Sequence, residues 1–123
     1  MTTTPKLTKA ELSQFSGGTV NYYRHALKRK VLFTDGAKYV ADEGGAYWLL
    51  DEIALAQGRD KRVDRQPFQV WMLTVRPNRS ATIRVEDGNY NLLLIRELEF
   101  TDFPISEITL WFSNNVIYLP VEH

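Results

Sequence analysis

The sequence predicts an α+β fold: an antiparallel sheet of about five to seven strands, packed by one main helix and a short N-terminal helix. Three observations predict it. Apolar residues at helical spacing fall in the first half of the chain, whereas residues 68–119 read as successive strands. Two Asp-Gly pairs and one Asn-Asn pair sit between apolar runs, where residues tolerant of positive φ make tight hairpins. One stretch, Ala46 to Gln57, carries a helical stripe long enough to lie across a sheet. Helices that come first and strands that follow are the pattern of α+β, not of alternating α/β.

Each element follows in order. Residues 1–7 are polar with Pro5 and read as a loose tail. Thr8, with Glu11 three residues on, reads as a capping box that opens a helix from about Lys9 to Phe15. Ser16-Gly17-Gly18 stops it, and residues 1–20 form a tail and short helix ahead of a single domain at 21–123. Residues 19–30 carry Val20, Tyr23, Ala26 and Leu27 at helical spacing and suggest a second short helix. The runs 31–34 and 37–40 flank Asp35-Gly36, which predicts a hairpin there. The main helix follows, with Leu49, Leu50, Ile53 and Ala54 as its core stripe and Gly58 as its stop. Residues 59–66 are charged and read as a loop.

Phe68 to Val75 is apolar on both faces, which suits a central strand or one with a face in an interface. Ala81, Ile83 and Val85 alternate with polar residues, a half-buried strand. Asp87-Gly88 predicts a two-residue turn that sets Val85 opposite Tyr90 and Ile83 opposite Leu92. A strand from Tyr90 to about Phe100 ends at Pro104, and Asn114-Asn115 joins the last two strands with Trp111 opposite Tyr118. The two-faced strand also predicts self-association, most simply as a homodimer, because one helix of about 18 Å covers only one side of a sheet.

Composition narrows the chemistry. The 123 residues are 44% hydrophobic and 24% charged, ordinary for one globular domain. With no cysteine there is no disulfide framework, thiol nucleophile or thiolate metal site. Two isolated histidines, His25 and His123, give no zinc-ligand spacing, and no glycine loop suits a phosphate, so neither metal nor cofactor is expected. No serine stands in a nucleophile elbow, and adjacent carboxylates diverge on a helix or strand, so an enzyme is not expected. Glu97 and Glu99 share a strand face and read as solvated. The start lacks an apolar signal region and no run approaches a membrane span, so a cytoplasmic location is expected.

Charge is uneven within a net of zero. Residues 1–84 hold 14 Lys/Arg and 8 Asp/Glu, and residues 85–123 hold one Arg and 7 Asp/Glu. Either the two segments pair and cancel, or they form separate basic and acidic faces; cancellation is the simpler expectation.

Two surfaces stand out as candidate sites. On the main helix Trp48, Asp51, Glu52 and Leu55 share a face away from the core stripe, with Tyr47 near by. Aromatic anchors beside acids suit a protein partner. The segment Tyr22, Tyr23, Arg24, His25, Lys28, Arg29 and Lys30 mixes cations with aromatics, as surfaces that track nucleic acids do, and Arg59, Lys61, Arg62 and Arg65 form a second basic cluster.

The motifs YRH at 23–25, TDG at 34–36, GAYWLLDEIA at 45–54 and FTDFP at 100–104 together resemble a family of small bacterial proteins that carry a domain of unknown function. The resemblance covers nearly the whole chain and implies an association with mobile elements, but no catalytic residues. By analogy with other mobile-element products it implies a binding protein, for example an inhibitor of a CRISPR-type defence nuclease complex. The reading that results is a protein-interaction module, with nucleic-acid binding through residues 22–30 as the alternative.

Overall fold

The computed structural model describes residues 7–123. Seven strands form one sheet: β1 (Tyr22–Arg24), β2 (Leu32–Thr34), β3 (Phe68–Val75), β4 (Ala81–Asp87), β5 (Leu92–Leu98), β6 (Glu107–Ser113) and β7 (Val116–Tyr118). Their spatial order is β1-β2-β7-β6-β3-β4-β5. Every pairing is antiparallel except β2 with β7. The helices are α1 (Lys9–Leu12), α2 (Asp35–Gly44), α3 (Tyr47–Ala56) and α4 (Lys61–Asp64). The fold is α+β, as the segregation of periodicities predicts.

Alternation along β3 explains the layering. Trp71, Leu73 and Val75 are buried and lie opposite Val85, Ile83 and Ala81 of β4, with Leu110 and Ile108 of β6 on the other side of β3. Onto this face pack Ala37, Val40 and Ala41 of α2 and Leu49, Leu50 and Ile53 of α3. The most deeply buried polar side chain among the described residues is that of Gln69. Gln69 is fully buried, and its amide donates to Gln57 Oε1 at 3.0 Å and to the Val63 carbonyl at 2.8 Å. Its oxygen accepts from Gln57 at 2.9 Å and from the Trp71 indole at 3.0 Å. A buried amide satisfied in this way pins the end of α3 over β3.

The opposite face of β3 carries Phe68, Val70 and Met72, all half-buried. Its cover is aromatic. Phe68 meets Trp111 edge-on at 5.2 Å, and Trp111 meets Tyr118 at 6.0 Å and His123 at 5.5 Å. The side chains of this face shield one another, and α2 and α3 lie on the other side.

Five local expectations need correction. Asp35-Gly36 is the first turn of α2, not a hairpin, and residues 37–40 are helical. Ala37, Val40, Ala41 and Gly44 are all buried at helical spacing, and Thr34 caps the helix by accepting the Ala37 N–H at 3.2 Å. Residues 19–30 are not a helix. Val20 and Leu27 are 87% and 69% exposed, whereas Tyr23 stacks on Phe33 across the β1–β2 pair. Within 59–66, Asp60 caps the short α4 by accepting the Arg62 N–H, and Val63 anchors it in the core.

Asp87-Gly88 does turn the chain, but through Gly88, Asn89 and Tyr90, the last at φ 67°. The register shifts accordingly, with Val85 opposite Leu94 and Ile83 opposite Arg96. Leu7, read as tail, is fully buried beside Phe103 against Gly44; residues 1–6 of that stretch lie outside the described residues. Asn114 and Asn115, at φ 52° and 62°, form the expected tight turn with Trp111 opposite Tyr118.

Candidate functional site

The β1–β2 connection is built around His25. This residue is 4% exposed. Its Nδ1 accepts two backbone N–H groups, from Leu27 at 3.2 Å and Lys28 at 2.9 Å. An acceptor at Nδ1 leaves the ring proton on Nε2, which donates to Asp51 Oδ1 of α3 at 2.8 Å. The His25 N–H donates to the Val31 carbonyl, and the Val31 N–H to the Lys28 carbonyl, closing the loop from both sides. His25 is thus a latch between a basic loop and α3. Both its nitrogens are committed, so the pair lacks the free ring nitrogen that a general base presents.

The α3 stripe falls into two halves. Trp48 is half-buried against the core and Tyr47 is 44% exposed, edge-on to Phe33, with its hydroxyl donating to Asp42. Burial opposes ionisation of Asp42, but the hydrogen bonds from Lys38 and Tyr47 outweigh it and hold the carboxyl below its ordinary range. Further along, both acids expected to face a partner are already engaged within the chain. Asp51 takes the His25 proton donor, and Glu52 takes Arg96 at 2.9 Å.

Past them the stripe opens into a groove of about 340 Å³ between α3, α4 and β5. Leu55, Ala56, Trp71 and Leu94 supply its apolar lining. Arg59 and two ion pairs, Glu52–Arg96 and Asp60–Arg62, supply the polar part. The Arg62 guanidinium, and then its backbone N–H, hold the Asp60 carboxyl below the usual range. Beside the groove runs β5, last in the sheet order, so its outer main-chain groups have no strand partner among the described residues. Leu92 and Ile95 of this strand are about half exposed.

The two basic clusters, separate in sequence, meet in space. Lys28 Nζ lies 3.3 Å from where a Cβ on Gly58 would stand. Arg24 donates to the Arg29 carbonyl across the same loop. Tyr22 and Arg24 share the exposed side of β1, whereas Tyr23 points inward, donating to Asp35 at 3.1 Å. Of the residues read as a nucleic-acid surface, Tyr23 and His25 are therefore structural, and the others lie at the surface. The two charge segments cancel only in part. Lys9–Glu107, Arg76–Glu97, Arg84–Glu86 and Glu52–Arg96 cross between them, yet of the cations near Gly58 only Arg62 holds a carboxylate, that of Asp60, among the described residues.

Sequence reasoning missed the latch, the groove and one further contact set. Glu122 accepts the Thr34 hydroxyl at 2.6 Å and the N–H groups of Gly36 at 3.0 Å and Leu119 at 2.8 Å. The signals for it were a Thr-Asp-Gly that fits a helix start as well as a turn, and a lone acid near the C-terminus. Among the described residues, no helix is long and apolar enough to cross a membrane.

The model of a family described as one of unknown function, DUF6876, matches residues 6–123. Neither a curated protein nor a solved structure matches the chain.

Proposed function

We propose a binding function for this chain, which belongs to the DUF6876 family, a family of unknown function. It is a protein-interaction module that takes an extended segment of its partner as an eighth strand beside β5. The observation that carries this reading is the conjunction of an unpaired edge with an adjacent groove. An added strand satisfies the free N–H and C=O groups of β5, and its alternate side chains enter the groove, which separates affinity from specificity. The floor of Leu55, Ala56, Trp71 and Leu94 suits one apolar side chain of the guest. The commitment of both His25 nitrogens favours binding over acid–base catalysis.

The proposal keeps part of the surface read from α3. Leu55, Asp51 and Glu52 line the groove, and Trp48 belongs to the packing. The resemblance to mobile-element proteins makes a bacterial defence nuclease complex one partner worth testing, since an inhibitor needs only to occupy such a strand site.

The experiment is peptide selection against the whole chain, followed by amide hydrogen exchange with the best binder. Amides of residues 92–98 that exchange freely in the unbound protein are expected to slow by at least tenfold. Leu55→Glu is expected to weaken the peptide at least tenfold while the melting temperature holds within a few degrees. Selected peptides that protect another region, or none selected at all, would refute the reading. Protection that rises with protein concentration alone, with a dimer mass by light scattering, would put a second copy on β5 in place of a partner.

A further inference from the structure

The positive side chains of this protein fall into two populations. Lys9, Lys38, Arg62, Arg76, Arg84 and Arg96 each hold a carboxylate within ion-pair distance. Arg79 is spent on the carbonyls of Thr101 and Phe103. No carboxylate pairs with the remaining cations among the described residues, and all of these belong to one region. Lys28, Arg29 and Lys30 lie on the latched loop, and Arg59, Lys61 and Arg65 follow Gly58, against which Lys28 rests. Arg24 joins them through its bond to the Arg29 carbonyl. The segments 24–30 and 58–65 hold eight cations against two carboxylates, a net of +6 in a chain whose total is zero. A fold that neutralises its other described cations and leaves this group open has concentrated its positive field on one surface.

The surface has two properties that a random excess of charge lacks. It is held rigidly, because the His25 imidazole accepts two loop amides and ties the loop to Asp51 of α3. It also ends at an aromatic platform. Tyr22, 59% exposed, shares the outer side of β1 with Arg24 and lies on the sheet face of Tyr118 and His123, so a nucleic-acid strand reaches it from the loop by passing Arg24 around the β1 edge. A row of cations that tracks a phosphate backbone, next to an exposed ring on which a base stacks, is the recognition chemistry of single-stranded nucleic acid. An acidic polypeptide would use the cations and leave the ring idle.

We infer that the surface running from Tyr22 through the 26–30 loop to α4 binds single-stranded nucleic acid through its phosphates, with Tyr22 as a stacking platform. This surface meets the groove beside β5 at Arg59 and α4, so a bound nucleic acid and a bound protein segment would be neighbours there.

The test is fluorescence anisotropy of the whole chain with a labelled 20-nucleotide single-stranded DNA, using heparin and polyglutamate as competitors. Contact with about four phosphates gives an affinity loss of about 50-fold between 50 and 200 mM salt. Lys28→Glu with Arg59→Glu, at the point where the clusters meet, is expected to abolish binding at 200 mM salt. Lys9→Glu with Lys38→Glu, which alters the total charge equally but at paired cations, is expected to leave at least a third of the affinity. Tyr22→Ala is expected to cost about fivefold to tenfold with an unchanged salt slope, since stacking releases no counterions. Circular dichroism on each variant separates loss of binding from loss of fold. The inference is overturned by absence of binding at 50 mM salt. It is also overturned if both charge-reversed pairs lose affinity equally, or if polyglutamate competes as well as DNA while Tyr22→Ala has no effect; the last pattern assigns the surface to an acidic protein.

Discussion

Asp35-Gly36 and Asp87-Gly88 are the same dipeptide, each preceded by a polar residue and set between apolar runs, yet one opens a helix and the other turns a hairpin. The carboxylates show why. Asp87 accepts from Asn89 and Asn91 N–H groups at 2.8 and 3.0 Å and from the Asn91 side chain at 2.9 Å, all within four residues. Asp35 reaches back to the Val20 and Asn21 N–H groups, at 2.9 and 3.1 Å, and to the Tyr23 hydroxyl at 3.1 Å. The glycines differ in how closely they are packed. A Cβ on Gly88 would lie 3.2 Å from Phe68, whereas one on Gly36 would lie 2.5 Å from Glu122 Oε1 and 2.6 Å from Leu119. Turn chemistry decides the structure where every hydrogen-bond partner of the aspartate lies within a few residues. Where the partners of the motif come from residues 20–23 and from the C-terminus, long-range packing decides it.

The sharpest way to break this comparison is to add one methyl group at each site. In a helix, Gly→Ala alone stabilises by about 0.5–1 kcal/mol, so local propensity predicts a gain at Gly36. Packing predicts the opposite, because the new carbon overlaps both Glu122 and the Leu119 side chain. Gly36→Ala is expected to destabilise by about 2–3 kcal/mol, the scale of overpacking in a filled core. Gly88→Ala meets only the half-buried Phe68 ring and is expected to cost less than about 1 kcal/mol. Urea denaturation of the two variants reads both values. A Gly36→Ala protein as stable as the parent would remove the long-range half of the argument.

Glu122 sharpens the same point. Its carboxylate accepts three donors from two places in the chain: Thr34 and Gly36 at the start of α2, and Leu119. Glu122→Ala is expected to cost about 1–3 kcal/mol, because buried donors at the helix start lose their acceptor. It also vacates space beside Gly36. In the double variant the two costs are expected to fall short of additivity by about 1 kcal/mol, the coupling typical of groups in contact. Strict additivity of the two denaturation midpoints would mean that Gly36 and Glu122 do not share the space.

The same distinction explains what the sequence could show. The strands from β3 onward were legible because alternation, Asn114-Asn115 and the break at Pro104 are local signals. The core stripe of α3 was legible for the same reason, and Leu49, Leu50, Ile53 and Ala54 are all buried. The parallel pairing of β2 with β7 joins residues more than eighty apart, and no local pattern encodes it. The candidate site divides likewise. The basic residues and Leu55 were identifiable by type, but the His25–Asp51 latch, the Lys28–Gly58 contact and the groove beside β5 exist only once distant segments meet.

The smallest expected effect concerns pH. The Val20 N–H, followed by those of Asn21 and the Tyr23 hydroxyl, holds the Asp35 carboxyl at about 2, down from an ordinary 3.8. A depressed folded value stabilises the native state above the unfolded value, and the contribution fades as pH falls toward the folded one. Asp35→Asn is therefore expected to lower the melting temperature modestly at pH 7, with the difference from the parent shrinking between about pH 4 and pH 2. Asp87 is also held below its ordinary range, first by the Asn91 side chain and then by the backbone N–H groups of Asn91 and Asn89. Those donors lie within four residues, so the unfolded chain keeps some of the same contacts and less of the shift is linked to folding. Asp87→Asn is accordingly expected to show a weaker pH dependence than Asp35→Asn in melting curves recorded at pH 7, 4, 3 and 2. If the two variants converge on the parent with the same profile, the Asp35 contacts are no more dependent on the fold than a turn. The separation between a tertiary anchor and a local one would then fail at its most sensitive point.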